Sequence, residues 1–230
     1  MLRQFERRAH HYLQALPRPA NKLDWLSLIQ HYGGPTRLLD FSHSFYIAAF
    51  FAVERAERDA AIWAVNLDKI ERRIAAEMKV PTSNENIDHR NTRHAGLVNL
   101  HLGLEGRPAS PTQLAVNVEP DHLHERLTIQ QGFFLVPTDI TTPFEVNLAS
   151  TFGTDVIDFR DTKEVEWSQI EHMTSTFGVL KIILPRVTHK RALYDLQSMN
   201  INSATLFPGL DGFARSMHFH LRFLDPEHAT

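Results

Sequence analysis

The apolar residues of this chain recur at two spacings, and each spacing predicts a different kind of element. Phe5, Ala9 and Leu13 lie about three to four residues apart, as they would on one face of a helix. The same period predicts further helices at residues 23–30, 45–53, 70–78, 190–199 and 208–221. Short apolar runs predict strands at residues 36–41, 61–67, 114–118, 133–136 and 179–185.

The order of these elements indicates the fold class. Helices and strands do not alternate strictly, which favours the α+β class over a parallel doubly wound sheet. We therefore predict a core made of a single mixed or antiparallel sheet with flanking helices. No repeat or linker divides the chain, so residues 1–230 are predicted to form one domain. Residues 81–110 are polar and poorly periodic, and we expect an insertion or a mobile loop there.

Composition excludes several classes of function. The 230 residues are 43% hydrophobic, enough for a substantial core, and carry a net charge of −3. That balance lacks the basic field needed to bind nucleic acid or an anionic membrane. There is no cysteine, which excludes thiolate chemistry and disulfides, and no apolar run approaches the ~18 residues of a membrane span. We therefore predict a cytoplasmic protein with neither nucleic-acid nor membrane partners.

The densest polar stretch is QHYGGPTRLLDFSH, residues 30–43. Its Gly-Gly-Pro turn is expected to bring His31, Thr36, Arg37 and Asp40 into one locality. Arg37 can bind an anion through two parallel hydrogen bonds, while Asp40 can orient His43. The alternative is structural, because Arg37 and Asp40 can also form an ion pair that holds the strand to the helix.

A metal site is the weakest interpretation of this stretch. His31, Asp40 and His43 could supply ligands, but no further histidine or cysteine follows at a recognised spacing. His122 and His124 form no better set. We therefore predict no bound metal.

A second polar stretch, ERLTIQQGFFLV, spans residues 125–136. Gln130 and Gln131 precede Gly132 and an apolar strand, so their amides are expected at the mouth of a sheet. Amides can hold a ribose or a base, but they cannot act as a general base near neutral pH. A β-bulge with one buried, bonded amide is the alternative. We expect the two polar stretches to converge on one nucleotide-sized hollow.

These stretches together carry a resemblance to a known family. WLSLIQHYGGPTRLLDFSHSFYIAAFFAVE, residues 25–54, resembles the signature segment of FRG domains. QQGFF at 130–134 and TLFPGLDGFARS at 205–216 are similar to later elements of that family. The Phe-Arg-Gly tripeptide that gives the family its name is absent from this sequence. Either the upstream region is missing from this chain, or this member lacks it.

The order of motifs is also similar to that of ADP-ribosyltransferases, which implies NAD as a substrate. On that resemblance, the residues expected to bind the nucleotide are Gln30, His31, Thr36, Arg37, Phe45, Tyr46 and Gln130. The residues expected to take part in catalysis are His31, Asp40, Glu125 and Gln131. The fold would then be ADP-ribosyltransferase-like, and a protein could be the acceptor.

The position of the expected catalytic carboxylate is occupied by amides, which leaves two functional hypotheses. One is an ADP-ribosyltransferase-like or NAD-cleaving enzyme, using Asp40 or Glu125 as its carboxylate. The other is a non-catalytic module that binds a nucleotide or a protein partner, as a sensor or a defence-associated domain.

Overall fold

The structure is a computed structural model that describes residues 1–80, 87–102, 112–121, 125–153 and 178–224. Within these residues the helices are α1 Leu2–Ala9, α2 Lys22–His31, α3 Phe45–Val53, α4 Leu67–Met78, α5 Ile87–Leu102, α6 Glu125–Ile129, α7 Phe144–Thr151, α8 Arg186–Ser198, α9 Ser203–Leu206 and α10 Leu210–Leu224. The strands are β1 Leu39–Ser42, β2 Ala60–Val65, β3 Ala115–Val118, β4 Gly132–Pro137 and β5 Val179–Leu184. Each of the five predicted strands has a counterpart here, displaced by at most a few residues.

The chain divides into two compact units. The first comprises Met1–Asp40, Ala64–His122 and Phe133–Leu180. The second comprises Phe41–Trp63, Leu123–Gly132 and Lys181–Thr230. One domain over residues 1–230 stays a prediction.

The α+β class is confirmed, but the strands form two small antiparallel sheets, so the expectation of a single sheet was wrong. One sheet has the order β1-β4-β3, and the other pairs β2 with β5. Within the first, Ala115 lies opposite Pro137 and Val118 lies opposite Phe134. In the second sheet, β5 is not buried on both faces. Its Lys181 and Ile183 are exposed, as expected of a strand covered on one side only.

The core of the first unit forms around β3 and β4. Four consecutive residues of β4, Phe133 to Val136, are buried, and most of β3 is buried as well. Helix α4 adds Ile70 and Ile74 to the buried residues, neither of which is exposed to solvent. A separate cluster joins α1 to α2, where Phe5 meets the ring of Trp25 edge-on at 6.3 Å.

The core of the second unit joins α3 to α8 and α9. Ile47, Phe50 and Val53 of α3 are buried together with Leu193 and Leu196 of α8. Small residues of α3, including Ala49, allow this close packing, as the alanine-rich sequence indicated.

The described residues within 81–110 form a helix, although their sequence indicated an insertion or a mobile loop. Residues Ile87–Leu102 form α5, in which His94 and Val98 are buried. Residues 81–86 and 103–110 lie outside the described part, so an insertion at this position stays a prediction.

Candidate functional site

The first part of the candidate site is the polar strip, residues 30–40, which follows the end of α2 in the first unit. Helix α2 begins after Asn21, whose side chain accepts from the Asp24 N–H at 3.2 Å. At its other end, the Gly34 N–H donates to the Ile29 carbonyl at 2.8 Å, and Gly33 adopts a φ of 78°. A Cβ on Gly34 would overlap the Ile29 side chain. Both glycines are therefore needed for the turn that presents the strip.

Three side chains of the polar strip form a hydrogen-bonded chain. The Thr36 hydroxyl donates to the Gln30 side-chain oxygen, and the Gln30 amide donates to Asp40 Oδ1 at 2.8 Å. The Leu38 N–H in turn donates to Thr36 Oγ1 at 3.1 Å. Gln30, which precedes the turn, is therefore hydrogen-bonded to two residues that follow it, Thr36 and Asp40. Asp40 is exposed and Gln30 and Thr36 are half-buried, so this chain lies at the surface.

The remaining predicted residues of the strip flank this chain. His31 is exposed and packs edge-on against Tyr32, with ring centroids 5.0 Å apart. Tyr32 is 61% exposed, which leaves much of its ring available for stacking. Arg37 is half-buried. The expected gathering of His31, Thr36, Arg37 and Asp40 thus falls within one short surface segment.

The second part of the candidate site lies in the second unit. There the Ser42 hydroxyl donates to the Gln130 carbonyl at 2.8 Å, and the His43 N–H donates to the Gln131 carbonyl at 3.0 Å. Two hydrogen bonds therefore join the end of the first polar stretch to the glutamine pair. The loop between α6 and β4 is tight, since a Cβ on Gly132 would overlap the side chain of Leu127.

The two glutamines have different environments. The Gln130 side chain donates to the Leu206 carbonyl at 2.9 Å, which gives it a structural role. Gln131 is exposed and adopts a φ of 48°, in the left-handed region. Glu125 is exposed in the first turn of α6, a helix of five residues. Of the polar side chains predicted here, Gln131 and Glu125 are thus the ones that face solvent.

The two aromatic candidates lie at the start of α3. Ser44 caps this helix by accepting from the Ile47 N–H at 3.4 Å. Phe45 and Tyr46 are 47% and 51% exposed, and their rings meet edge-on at 5.9 Å. Both rings could therefore stack on a planar ligand.

The predicted residues divide between the two units. Those in the first unit are Gln30, His31, Thr36, Arg37 and Asp40. Those in the second are Phe45, Tyr46, Glu125, Gln130 and Gln131. Convergence of all ten on one hollow stays a prediction.

Sequence reasoning missed a buried polar cluster in the first unit. His94 of α5 is fully buried, with Nδ1 2.8 Å from the Asn117 carbonyl and Nε2 2.7 Å from Glu71 Oε2. Arg93 pairs with the same carboxylate. Burial lowers the pKa of His94 because desolvation disfavours the imidazolium, although Asn117 and Glu71 act in the opposite direction. The polar character of α5 hid this cluster, since histidine does not count as an apolar position in a helical pattern.

It also missed an ion pair in the second unit, between Glu54 at the end of α3 and Arg215 of α10. Both residues lie in stretches that carried the family resemblance. The available signal was a single charged residue adjoining the apolar face of each helix.

Two kinds of feature are absent from the part of the chain that the structure describes. There, no group of three or more acidic or histidine side chains is arranged to hold a metal ion. His122 and His124 lie outside the described residues. No described helix has both the length and the apolar character needed to cross a membrane.

The model of a known protein family matches the region of the chain that contains the polar strip. Residues 1–61 match the FRG domain. The match covers 61 of the 230 residues and includes the whole signature segment at 25–54. The elements at 130–134 and 205–216 lie outside it. No curated protein and no solved structure matched the chain, and similarity to ADP-ribosyltransferases stays a prediction.

Proposed function

We propose that this protein binds a nucleotide of the NAD type through its polar strip and that it does so without turnover. The observation that carries the proposal is the surface chain of hydrogen bonds from Thr36 through Gln30 to Asp40. It fixes polar side chains beside the exposed His31 and Tyr32, within the region that matches the FRG domain. A site whose polar groups are already oriented loses less conformational entropy when a ligand binds.

The phosphates, a ribose and a base of a nucleotide each have a possible counterpart in the strip. The guanidinium of Arg37 can meet a pyrophosphate oxygen pair, for which its planar fork is suited. His31 and Thr36 can bond ribose hydroxyls or the carboxamide, as the family resemblance implied. Tyr32 offers an exposed ring on which a base can stack, a contact worth about 1–3 kcal/mol for a nucleobase.

Binding without cleavage is favoured by the environment of the candidate carboxylates. Cleavage of the nicotinamide–ribose bond passes through an oxocarbenium-like state, which a carboxylate must stabilise. Asp40 Oδ1 already accepts a hydrogen bond from Gln30, and Glu125 stands exposed at the start of a short helix in the second unit. Asp40 thus already has a hydrogen-bond partner, and the exposure of Glu125 to water weakens the electrostatic stabilisation that its carboxylate can give.

The test is a calorimetric titration of the protein with NAD, ADP-ribose and ADP, accompanied by an assay for released nicotinamide. Arg37→Lys keeps the charge but loses the fork, and we expect at least about tenfold weaker binding, corresponding to about 1.4 kcal/mol. Arg72→Lys is the matched control, because Arg72 is an exposed arginine on α4 outside the strip. We expect it to bind like the unmodified protein.

Three results would count against the proposal. Absence of heat with all three nucleotides would refute binding, and release of nicotinamide would refute the non-catalytic part. Equal nucleotide affinity of the Arg37→Lys and Arg72→Lys variants would show that the polar strip is not part of the binding site. Circular dichroism of each variant separates loss of binding from loss of fold.

A further inference from the structure

The second unit contains a cavity that none of the predicted site residues lines. Its volume is about 280 Å³, and it is a partly open cleft lined by parts of α3, α8, α9 and α10. Its apolar wall is formed by Phe50, Leu193 and Ile201, while Glu54, Ser203 and Arg215 supply polar groups. This volume is near the lower end of the sizes found for small-molecule sites.

The guanidinium of Arg215 is held in a fixed orientation at this cavity. Its Nε donates to Glu54 Oε1 at 2.6 Å, and its Nη2 donates to Glu54 Oε2. Its Cζ lies 4.0 Å from the centre of the Phe207 ring, and the Ser203 hydroxyl donates to Glu54 Oε1 at 2.8 Å. Both ends of the ion pair are thus fixed by additional partners.

This arrangement leaves donors for a ligand. A guanidinium carries five N–H groups, and two of those on Arg215 donate to Glu54. The other three N–H groups of Arg215 have no partner among the described residues. The side chain of Arg215 is 25% exposed, which gives these donors access to a bound molecule. A planar, pre-oriented fork is the usual protein partner of a carboxylate or a phosphate.

Local charge distinguishes between these two anions. Arg55 also lines the cavity, with its Nε 4.0 Å from Glu54 Oε2 and its side chain 74% exposed. Among the arginine and acidic residues that line the cavity, Arg55 and Arg215 outweigh Glu54 by one positive charge. A carboxylate carries one negative charge, whereas a phosphate monoester carries about −1.5 to −2 near neutral pH. The charge balance therefore favours a carboxylate.

The geometry points to a binding site for a small organic carboxylate with an apolar body. The carboxylate meets Arg215 at the polar side of the cavity, and the apolar body lies against Phe50, Leu193 and Ile201. The site lies wholly in the second unit and uses none of the residues proposed for the nucleotide. Its test is therefore independent of that proposal.

The experiment compares phenylacetate with phenylacetamide, which has a similar shape but no charge, by ligand-observed NMR and calorimetry. Phenylacetate is expected to bind in the micromolar to millimolar range and to be about tenfold tighter than the amide, because a charged hydrogen-bond pair strengthens binding by at least about that factor. Equal binding of the two probes, or no binding of phenylacetate at millimolar concentration, would overturn the proposal.

Two serine variants locate the bound probe. Ser216 lines the cavity, and its hydroxyl donates to the Phe213 carbonyl of the same helix. Ser198 is an exposed helical serine that donates to the Tyr194 carbonyl and does not line the cavity. Ser216→Phe fills the cavity and is expected to abolish phenylacetate binding, while Ser198→Phe leaves it unchanged. Identical binding by both variants would overturn the assignment.

An arginine variant keeps the test decisive if Ser216→Phe fails to fold. Arg55 is largely exposed, so Arg55→Gln is expected to fold normally. It should weaken phenylacetate binding several-fold and reduce the effect of added salt, while leaving phenylacetamide unaffected. Unchanged phenylacetate affinity in this variant would contradict the charge argument on which the choice of ligand depends.

Discussion

The hydrogen-bonded chain of the polar strip can be tested by exchanging an amide for an acid. Gln30→Glu preserves the shape of the side chain and its capacity to accept from the Thr36 hydroxyl. It replaces the amide that donates to Asp40 Oδ1 at 2.8 Å with a second carboxylate oxygen. The substitution therefore removes one hydrogen bond and places two negative charges at contact distance. Asp40→Asn restores a donor at the opposite position.

The expected size of the effect follows from these two terms. Loss of a typical hydrogen bond costs about 1 kcal/mol. Two like charges about 4 Å apart in water repel by about 1 kcal/mol, and the high-dielectric figure applies because Asp40 is exposed. We therefore expect Gln30→Glu to lower the free energy of unfolding by about 2 kcal/mol. Asp40→Asn alone should cost about 0.5 kcal/mol, since the Gln30 amide can still donate to the new amide oxygen.

The double variant Gln30→Glu/Asp40→Asn should recover most of that loss, because the amide introduced at position 40 can donate to the carboxylate introduced at position 30. The coupling energy of the cycle is then about 1–2 kcal/mol, within the range for residues in contact. Asp40 takes part in a further interaction, but its loss is common to the single and double variants and cancels in the cycle.

Urea denaturation of the four proteins, followed by far-ultraviolet circular dichroism at neutral pH, measures the cycle. The same measurement near pH 4 provides an internal check, because protonation of the carboxylates removes the repulsion in Gln30→Glu. A coupling energy indistinguishable from zero would refute the reasoning. In that case the chain from Thr36 through Gln30 to Asp40 does not organise the strip, and the proposed nucleotide site loses its support.

Two glycines and one histidine give further predictions. Gly212→Ala should destabilise the protein by at least about 2 kcal/mol, because the added methyl group would overlap the Phe207 carbonyl. Gly96→Ala should stabilise it by up to about 1 kcal/mol, because no atom lies within 4 Å of the new Cβ. Thermal unfolding of both variants checks this difference in sign. His94 has a lowered pKa in the folded state, so stability should fall as pH drops below the ordinary value of 6.5, by at most about 1.4 kcal/mol per pH unit. Denaturation of the protein and of His94→Gln between about pH 5 and pH 8 isolates this contribution, and parallel pH profiles would contradict it.

The fold could be predicted from sequence wherever apolar residues alone mark the buried face. Strands β3 and β4 are apolar runs, and they form the buried centre of the first unit. Helix α5 could not be found in this way, because the buried residues among its described side chains are His94, Val98 and His101. They follow helical spacing, yet two of the three are polar. These histidines can be recognised as buried positions only once it is known that their rings are hydrogen-bonded to the Asn117 and Leu97 carbonyls.

Pairs of neighbouring residues show a second limit of sequence reasoning. The strand predicted at residues 36–41 contains the apolar pair Leu38 and Leu39, of which Leu38 is 4% exposed and Leu39 is 39% exposed. Leu38 precedes strand β1, which begins at Leu39, so the two leucines need not share one buried face. A pattern predicts that a strand is present more readily than it predicts which of its faces is covered.

The same limit applies to Gln130 and Gln131, and there it changes the functional argument. Both amides were expected to face a ligand. The Gln130 amide donates to the Leu206 carbonyl, a partner 76 residues away that no local pattern could identify. Gln131 reaches the surface because its backbone turns into the left-handed region at the end of α6. A ligand contact from this pair therefore depends on Gln131, and Gln130→Ala should chiefly reduce stability, by about 1 kcal/mol for the lost hydrogen bond, and leave nucleotide affinity unchanged.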